Sequence, residues 1–269
     1  MAEVSIVRSA RPDVKKALSL IGFTPGEYDL VAIKPNICTA MPYYTGATTD
    51  LRLLEETIKT FQACSKEVVV MESDGFTDPV NKAAEKTGVL EVCSYFDVPF
   101  VNLSTDIQIP VKRELRALKN VKVPRTFLKA DFIVNLPVMK THILTLVSLG
   151  MKNMFGILPV PRSTYHSKLS DAICDVVKIR KPDLTILDGI IGMEGEGPIN
   201  GSPKKMDLVL ASTDVLALDV TACRVMRINP VHVDHIQKAA YYGLGEDNPT
   251  KINVKGERIE DVWSKFTVT

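Results

Sequence analysis

DFIVNLPVMKTH, residues 131–142, decides how this chain reads. Its first half is apolar on both faces of an extended segment, which marks a strand covered on both sides of a sheet. Its second half brings Lys140 and His142 directly after that strand. The next residues, up to 166, add Lys152, Asn153, Arg162 and His166. Basic and imidazole groups crowded beside apolar sequence point to a site for something anionic.

Similar short apolar runs recur on either side. LVAIK at 30–34, EVVVM at 67–71, LTIL at 184–187 and MDLVLA at 206–211 read as strands, with shorter ones at 4–7 and 100–103. Amphipathic stretches alternate with them. Pro12 opens a helix that Gly22 closes, carried by Val14, Ala17, Leu18 and Ile21. Residues 49–65 place Leu51, Leu54, Ile58 and Phe61 on one helical face. Further helices are expected at 78–88, 167–180, 213–226 and 230–242, and a short β pair around Gly256. Residues 104–127 break the rhythm, and IQIPV and NVKV there suggest a small β excursion. The reading is an α/β fold: a mostly parallel sheet flanked by helices, with residues 1–269 as one domain and the β element inserted at 104–127.

Composition narrows the function. The 269 residues carry 33 basic and 32 acidic side chains, a net charge of +1. That balance argues against bulk binding of nucleic acid or of an anionic membrane. Cys38, Cys64, Cys93, Cys174 and Cys223 are scattered with no C-x-x-C pair, so the chain has no iron–sulfur or zinc-ribbon motif of its own. Such cysteines suit a reducing, cytoplasmic setting. The first residues lack the apolar core of a signal peptide, and no run approaches the length of a membrane span.

Open parallel sheets bind ligands outside the carboxyl ends of their strands. The predicted strand ends supply Lys34 and Asn36, then Glu72 and Asp74, then Lys140 and His142, then Asp188. Lys140 and His142 are two apart and share a face of an extended segment. Lys140, His142 and His166 are the candidate catalytic groups. An imidazole at a helix start can act as acid or base near neutral pH. Lys34, Asn36, Lys152, Asn153 and Arg162 are the candidate substrate-binding groups. So are Gly195 and Gly197, whose glycine-rich stretch, DGIIGMEGEGPINGSP at 188–203, offers exposed amides to an anion. It matches neither a dinucleotide fingerprint nor a P-loop. Glu72, Asp74, Asp188 and Glu194 are the candidate metal ligands, suited to a hard cation such as Mg²⁺. His232 and His235, at i and i+3, have an incomplete ligand set for a shared metal.

Taken together, KPN at 34–36, ESDG at 72–75, NLPVMKTH at 135–142, GMKNMFG at 150–156, YH at 165–166, the glycine-rich stretch and ASTDVLALDVTA at 211–222 resemble a broad prokaryotic family, domain of unknown function 362. The resemblance runs from about residue 30 to about residue 245. Many members look fused to ferredoxin-type iron–sulfur modules, which implies redox chemistry for some. In this chain the electrons would then come from a separate ferredoxin or a bound cofactor. Lys34, Asn36, Lys140, His142, Lys152, Asn153, His166, Asp188, Glu194 and Asp219 stand in the family's motifs. Asp219 falls in an apolar helix, where a paired, buried carboxylate is the competing role. Two functions follow. One is a cytoplasmic enzyme acting on a small anionic substrate by proton transfer or ferredoxin-linked redox chemistry. The alternative is a non-catalytic protein that binds a cofactor, a metal or a redox partner.

Overall fold

A computed structural model describes residues 1–268. In chain order the strands are β1 (Ala2–Arg8), β2 (Tyr28–Pro35), β3 (Ser65–Glu72), β4 (Phe100–Asn102), β5 (Gln108–Pro110) and β6 (Lys122–Pro124). They continue as β7 (Phe132–Leu136), β8 (Val138–His142), β9 (Leu146–Ser148), β10 (Leu184–Glu194), β11 (Ser202–Ser212) and β12 (Ile252–Gly256). The helices are α1 (Val14–Leu20), α2 (Leu51–Gln62), α3 (Val80–Thr87), α4 (Val89–Tyr95) and α5 (Arg125–Lys129). They continue as α6 (Gly150–Met154), α7 (Leu169–Ile179), α8 (Val215–Val225), α9 (Asp234–Tyr241) and α10 (Ile259–Val262).

The main sheet has ten strands, ordered β12-β1-β11-β10-β7-β2-β3-β4, with β8 pairing to β10 and β9 to β8. The block β10-β7-β2-β3-β4 is parallel throughout. Strand β11 is antiparallel to both β10 and β1. The mostly parallel sheet read from the sequence is present, and β5 and β6 form the separate antiparallel ribbon expected within 104–127.

Side-chain alternation along the strands divides the core into two layers. Val31, Ile33, Val68, Val70, Phe132 and Val134 point to one face, where helices α1–α4 cover them with Ala17, Leu54, Ile58, Phe61 and Ala84. Ala32, Val69, Met71 and Ile133 point to the other, under Phe127, Met151, Ile173, Val220 and Ile236 of helices α5–α9. Burying one large apolar side chain contributes roughly 1.5–3 kcal/mol. Two such layers therefore hold the strand ends in a fixed plane. Helix α2 buries Leu53, Leu54, Thr57, Ile58 and Phe61, a stripe rotated slightly from the expected one because Leu53 replaces Leu51 as a fully covered position. No helix is long and apolar enough to cross a membrane among the described residues.

Several boundaries differ from the sequence reading. The strand expected to stop at 187 runs to Glu194, so the first part of the glycine-rich stretch, 188–194, belongs to β10 of a hairpin with β11. Gly192 is required by crowding: a Cβ there would lie 2.5 Å from the Met139 carbonyl oxygen. Pro137, which has no N–H to donate, separates β7 from β8. Leu184 and Thr185 of β10 pair with β7, while Asp188 and Met193 pair with β8. Gly88, at φ 84°, ends α3 but leads straight into α4, which buries Val89, Val92 and Cys93. The helix expected over 230–242 is a 3-10 turn, Pro230–His232, followed by α9. The helix expected from 167 begins at Leu169, after a 3-10 stretch Arg162–Lys168.

Gly197 tests the close approach of the hairpin turn to β8. A Cβ there would fall 2.1 Å from the Thr141 carbonyl oxygen, a backbone atom that cannot swing away. Gly197→Ala is expected to lower stability by about 1–3 kcal/mol, the usual cost of overpacking. An unchanged urea-unfolding midpoint would show that β8 and the turn are not in this contact.

Candidate functional site

Strands β2 and β3 are parallel neighbours, so their ends place Lys34 beside Glu72. The Lys34 ammonium donates to Glu72 Oε2 at 2.7 Å, and both residues are buried. Glu72 also accepts the Ser73 N–H on Oε1 at 2.9 Å and the Ile37 N–H on Oε2 at 3.4 Å. Burial pushes the Lys34 ammonium below the ordinary lysine range, and Glu72 pulls it back up.

An amide ladder continues from this pair. Asn153 Oδ1 accepts from Asn36 Nδ2 at 3.0 Å and from Lys34 Nζ at 3.4 Å. Asn153 Nδ2 donates to Asn135 Oδ1 at 2.8 Å, and Asn135 Nδ2 donates to the Gly150 carbonyl at 3.0 Å. The ladder seats the short helix α6 on the ends of β2 and β7. From its other side, Asp219 of α8 accepts the Gly150 and Met151 N–H groups at 2.7 and 2.9 Å. Burial raises the Asp219 carboxyl to about 7, against the pull of those two amides. Asp219 is thus a buried carboxylate that anchors the start of α6. Gly150 is needed for that docking, since a Cβ would meet Val215 Cγ2 at 2.7 Å and Asp219 Oδ1 at 2.9 Å.

Cations gather around α6. The buried Lys140 ammonium donates to the Ala47 carbonyl at 2.9 Å and approaches Cys38 Sγ at 3.5 Å. The Lys152 ammonium lies 4.8 Å from the centre of the Phe155 ring. No carboxylate is within ion-pair distance of it among the described residues. Burial, then the charges of Arg162 and Lys140, push Lys152 down to about 8. The Arg162 guanidinium donates to Ser73 Oγ at 2.9 Å and to the carbonyls of Asp74 at 2.6 Å, Leu158 at 2.9 Å and Gly156 at 3.2 Å. It therefore ties the loop after β3 to the chain after α6. Arg162 keeps its charge, but both terminal nitrogens are engaged by protein rather than offered to a substrate.

The imidazoles differ from one another. His142 Nδ1 accepts the Leu144 N–H at 3.0 Å, which places the proton of its neutral ring on Nε2. Burial, with Lys152 and Lys140 nearby, pushes His142 down to about 3. His166 is exposed in the 3-10 stretch before α7, not at the helix start. His232 is exposed while His235 is buried on α9, so the pair does not face a common metal. Neither ring nitrogen of His235 has a hydrogen-bond partner. Burial and the Lys152 charge push His235 down to about 3.

The four candidate metal ligands do not converge. Glu72 holds Lys34. Asp74 accepts the Val80 N–H at 2.8 Å at the start of α3. Asp188 accepts the N–H groups of Asp50 and Ile190 at 2.7 and 3.0 Å, and burial raises its carboxyl to about 7. Glu194 holds Lys204 at 2.8 Å and the Thr267 N–H at 2.9 Å. Among the described residues no three His, Cys, Asp or Glu side chains are arranged to hold a metal. The glycine amides are also spoken for: Gly195 N–H donates to the Thr267 carbonyl and Gly197 N–H to the Gly195 carbonyl, both at 2.8 Å. Gly197 allows the close approach to β8, and Gly195, at φ 84°, takes the left-handed conformation of the turn.

Sequence reasoning missed Cys38 and Asn135 as neighbours of the site, and read His235 only as one half of an incomplete metal pair with His232. Cys38 follows the KPN motif by two residues, which was a usable signal. Asn135 stood inside a strand, where nothing in the local pattern separates a site residue from core.

A family model described as Domain of unknown function (DUF362) matches residues 31–224. The chain belongs to this family. The match contains every residue of the site from Lys34 to Asp219, and His235 lies beyond it. A thylakoid-associated protein of Synechocystis sp. (strain ATCC 27184 / PCC 6803 / Kazusa) is 26% identical over 235 residues, which is 82% of this chain and 70% of that protein. The lactate racemase apoprotein from Thermoanaerobacterium thermosaccharolyticum has a similar fold, with a TM-score of 0.52 at 13% identity. That alignment covers 85% of this chain and 58% of the racemase, so the chain spans little more than half of that protein's length.

The depressed imidazoles set a pH dependence. From the ordinary 6.5 down to about 3, the unfolded chain binds protons that folded His142 and His235 do not. Stability therefore falls as pH is lowered through that window. The raised carboxyls of Asp188 and Asp219 act in the opposite sense, and equally in wild type and variant. His235→Leu is expected to gain stability relative to wild type as pH falls from 6.5 to 4 in urea unfolding. Parallel curves for the two proteins would contradict a neutral, unpaired His235.

Proposed function

We propose that this protein is an enzyme that binds a small carboxylate or phosphate at the carboxyl edge of its sheet and moves a proton there. The observation that carries this reading is a charge imbalance. Among the described residues, Lys140, Lys152 and Arg162 stand around α6 with no carboxylate bonded to any of them, while Lys34 is paired with Glu72. An anion about 4 Å from one such cation gains roughly 4 kcal/mol at an effective dielectric near 20. Lys152 supplies the attraction best, because its nitrogen is not committed to a protein acceptor. His142 is a hydrogen-bond donor to the ligand: neutral at pH 7, with its Nε2–H free of protein partners among the described residues. His166, exposed at the rim, is the group suited to move a proton between substrate and solvent. We place the protein in the cytoplasm, since its five cysteines are free thiols.

Lactate is a reasonable first carboxylate to try, given the fold likeness to a protein named lactate racemase. Calorimetry with phosphate and with lactate is expected to show binding to the wild type and a loss of about tenfold or more in Lys152→Met, a change of about 1.4 kcal/mol. Unchanged affinity in Lys152→Met would sink the reading. Incorporation of solvent deuterium at the substrate carbon would support proton transfer. An absorption spectrum and metal analysis of the purified protein separate this enzyme from a non-catalytic carrier of a cofactor, a metal or a ferredoxin-type partner.

A further inference from the structure

Three lysines approach the site, and their nitrogens are held differently. Lys34 is bound to Glu72, and Lys140 is bound to the Ala47 carbonyl. Lys152 has neither a hydrogen bond nor a carboxylate partner among the described residues, and only the Phe155 ring lies against its ammonium. Its backbone, by contrast, is fixed on both sides. Met151 N–H is held by Asp219, and Asn153 is held by Asn135 and Asn36. A rigidly mounted, half-buried lysine with an uncommitted nitrogen beside other cations is the setting in which an amine acts as a nucleophile.

We propose that Lys152 forms an imine with a 2-keto carboxylate, whose carboxylate is attracted by the Lys140 and Arg162 charges. The proposal rests on the anion-binding reading above and names the substrate class of that site. The step balances without an oxidant or reductant. The Lys152 Nζ lone pair forms a bond to the keto carbon as the carbonyl π pair moves to oxygen. A proton passes from nitrogen to that oxygen by way of solvent water. A further proton on the hydroxyl lets water leave, and the nitrogen lone pair closes the C=N bond. One amine, one ketone and one proton give one iminium and one water. The iminium then draws electrons from its neighbouring carbon, which eases loss of a proton or of carbon dioxide there. The shift of Lys152 to about 8 places on the order of a hundredfold more neutral amine on it at pH 7 than on an ordinary lysine.

Trapping tests the step. The full chain is incubated at pH 7 with pyruvate and sodium cyanoborohydride, then analysed by intact mass and peptide mapping. One reduced adduct is expected, on Lys152, formed far faster than on the exposed Lys66 or Lys205. Lys152→Arg keeps the cation but has no imine-forming amine. It is expected to bind phosphate within a few-fold of wild type and to give no selective adduct. Phosphate is expected to slow trapping in the wild type. Phosphate binding to wild type and Lys152→Arg, with no adduct in the wild type, overturns the imine and leaves the anion site standing. An adduct that survives in Lys152→Arg also overturns it. Selective trapping on Lys152 without phosphate or lactate binding would uphold the nucleophile and overturn the anion reading instead.

Discussion

The buried ion pair between Lys34 and Glu72 is the constraint from which the site follows. Removing two charges from water costs several kcal/mol per ion, and a 2.7 Å contact repays that only if the remaining hydrogen-bonding capacity is met. Glu72 is completed by the amides of Ser73 and Ile37, so the loops after β3 and β2 must fold over the pair. Lys34 is completed by Asn153, so α6 must dock there as well. Gly156, where a Cβ would come within 3.2 Å of Lys34 Nζ, lets the chain leaving α6 pass directly above. One pair at two adjacent strand ends thus fixes three neighbouring segments.

Helix α6 shows how the sheet and the helical layer share this work. It has five residues, too short to be stable alone. Asn135 and Asn153 tie it to the sheet, and Asp219 ties its first amides to α8. Asp219 accepts a raised carboxyl pKa for this role, which says that burial outweighs two good hydrogen bonds to its charged form. The outcome is a helix held through its backbone and one amide side chain, leaving Lys152 without a structural bond to make.

Much of this was legible in the sequence, and the failures share a cause. Strand runs such as LVAIK and EVVVM announce themselves because apolar residues on both faces have one structural use, and the polar groups after them fell where open parallel sheets place ligands. Partners distant in sequence were not legible. Gly197 drew attention because glycine signals close approach without saying what approaches, and here it is the Thr141 backbone, while Gly195 serves a left-handed turn and its N–H is bonded to the Thr267 carbonyl. Glu72, Asp74, Asp188 and Glu194 looked like ligands because a carboxylate at a strand end can hold a metal or an amide equally well. Arg162, a candidate substrate-binding group in the sequence, donates to carbonyls of its own chain. His235 was read with His232 as a possible metal pair, but the 3-10 turn before α9 leaves His232 exposed and His235 buried.

The near-zero net charge of the chain and the cationic character of the site are reconciled by where the acids go. Asp74, Asp188 and Glu194 each sit one element from the lysines, but each is turned onto backbone amides or, for Glu194, onto Lys204 as well. A carboxylate already held by a backbone amide gains little by reorienting toward a more distant ammonium, so these acids stay turned away from Lys152. Glu72 is the exception, and it is consumed by Lys34. The excess positive potential around α6 is therefore a product of local hydrogen bonding rather than of composition. Because it is built from buried groups, salt screens it weakly. A small anion entering there would meet several cations at once, at a place where water competes poorly for them.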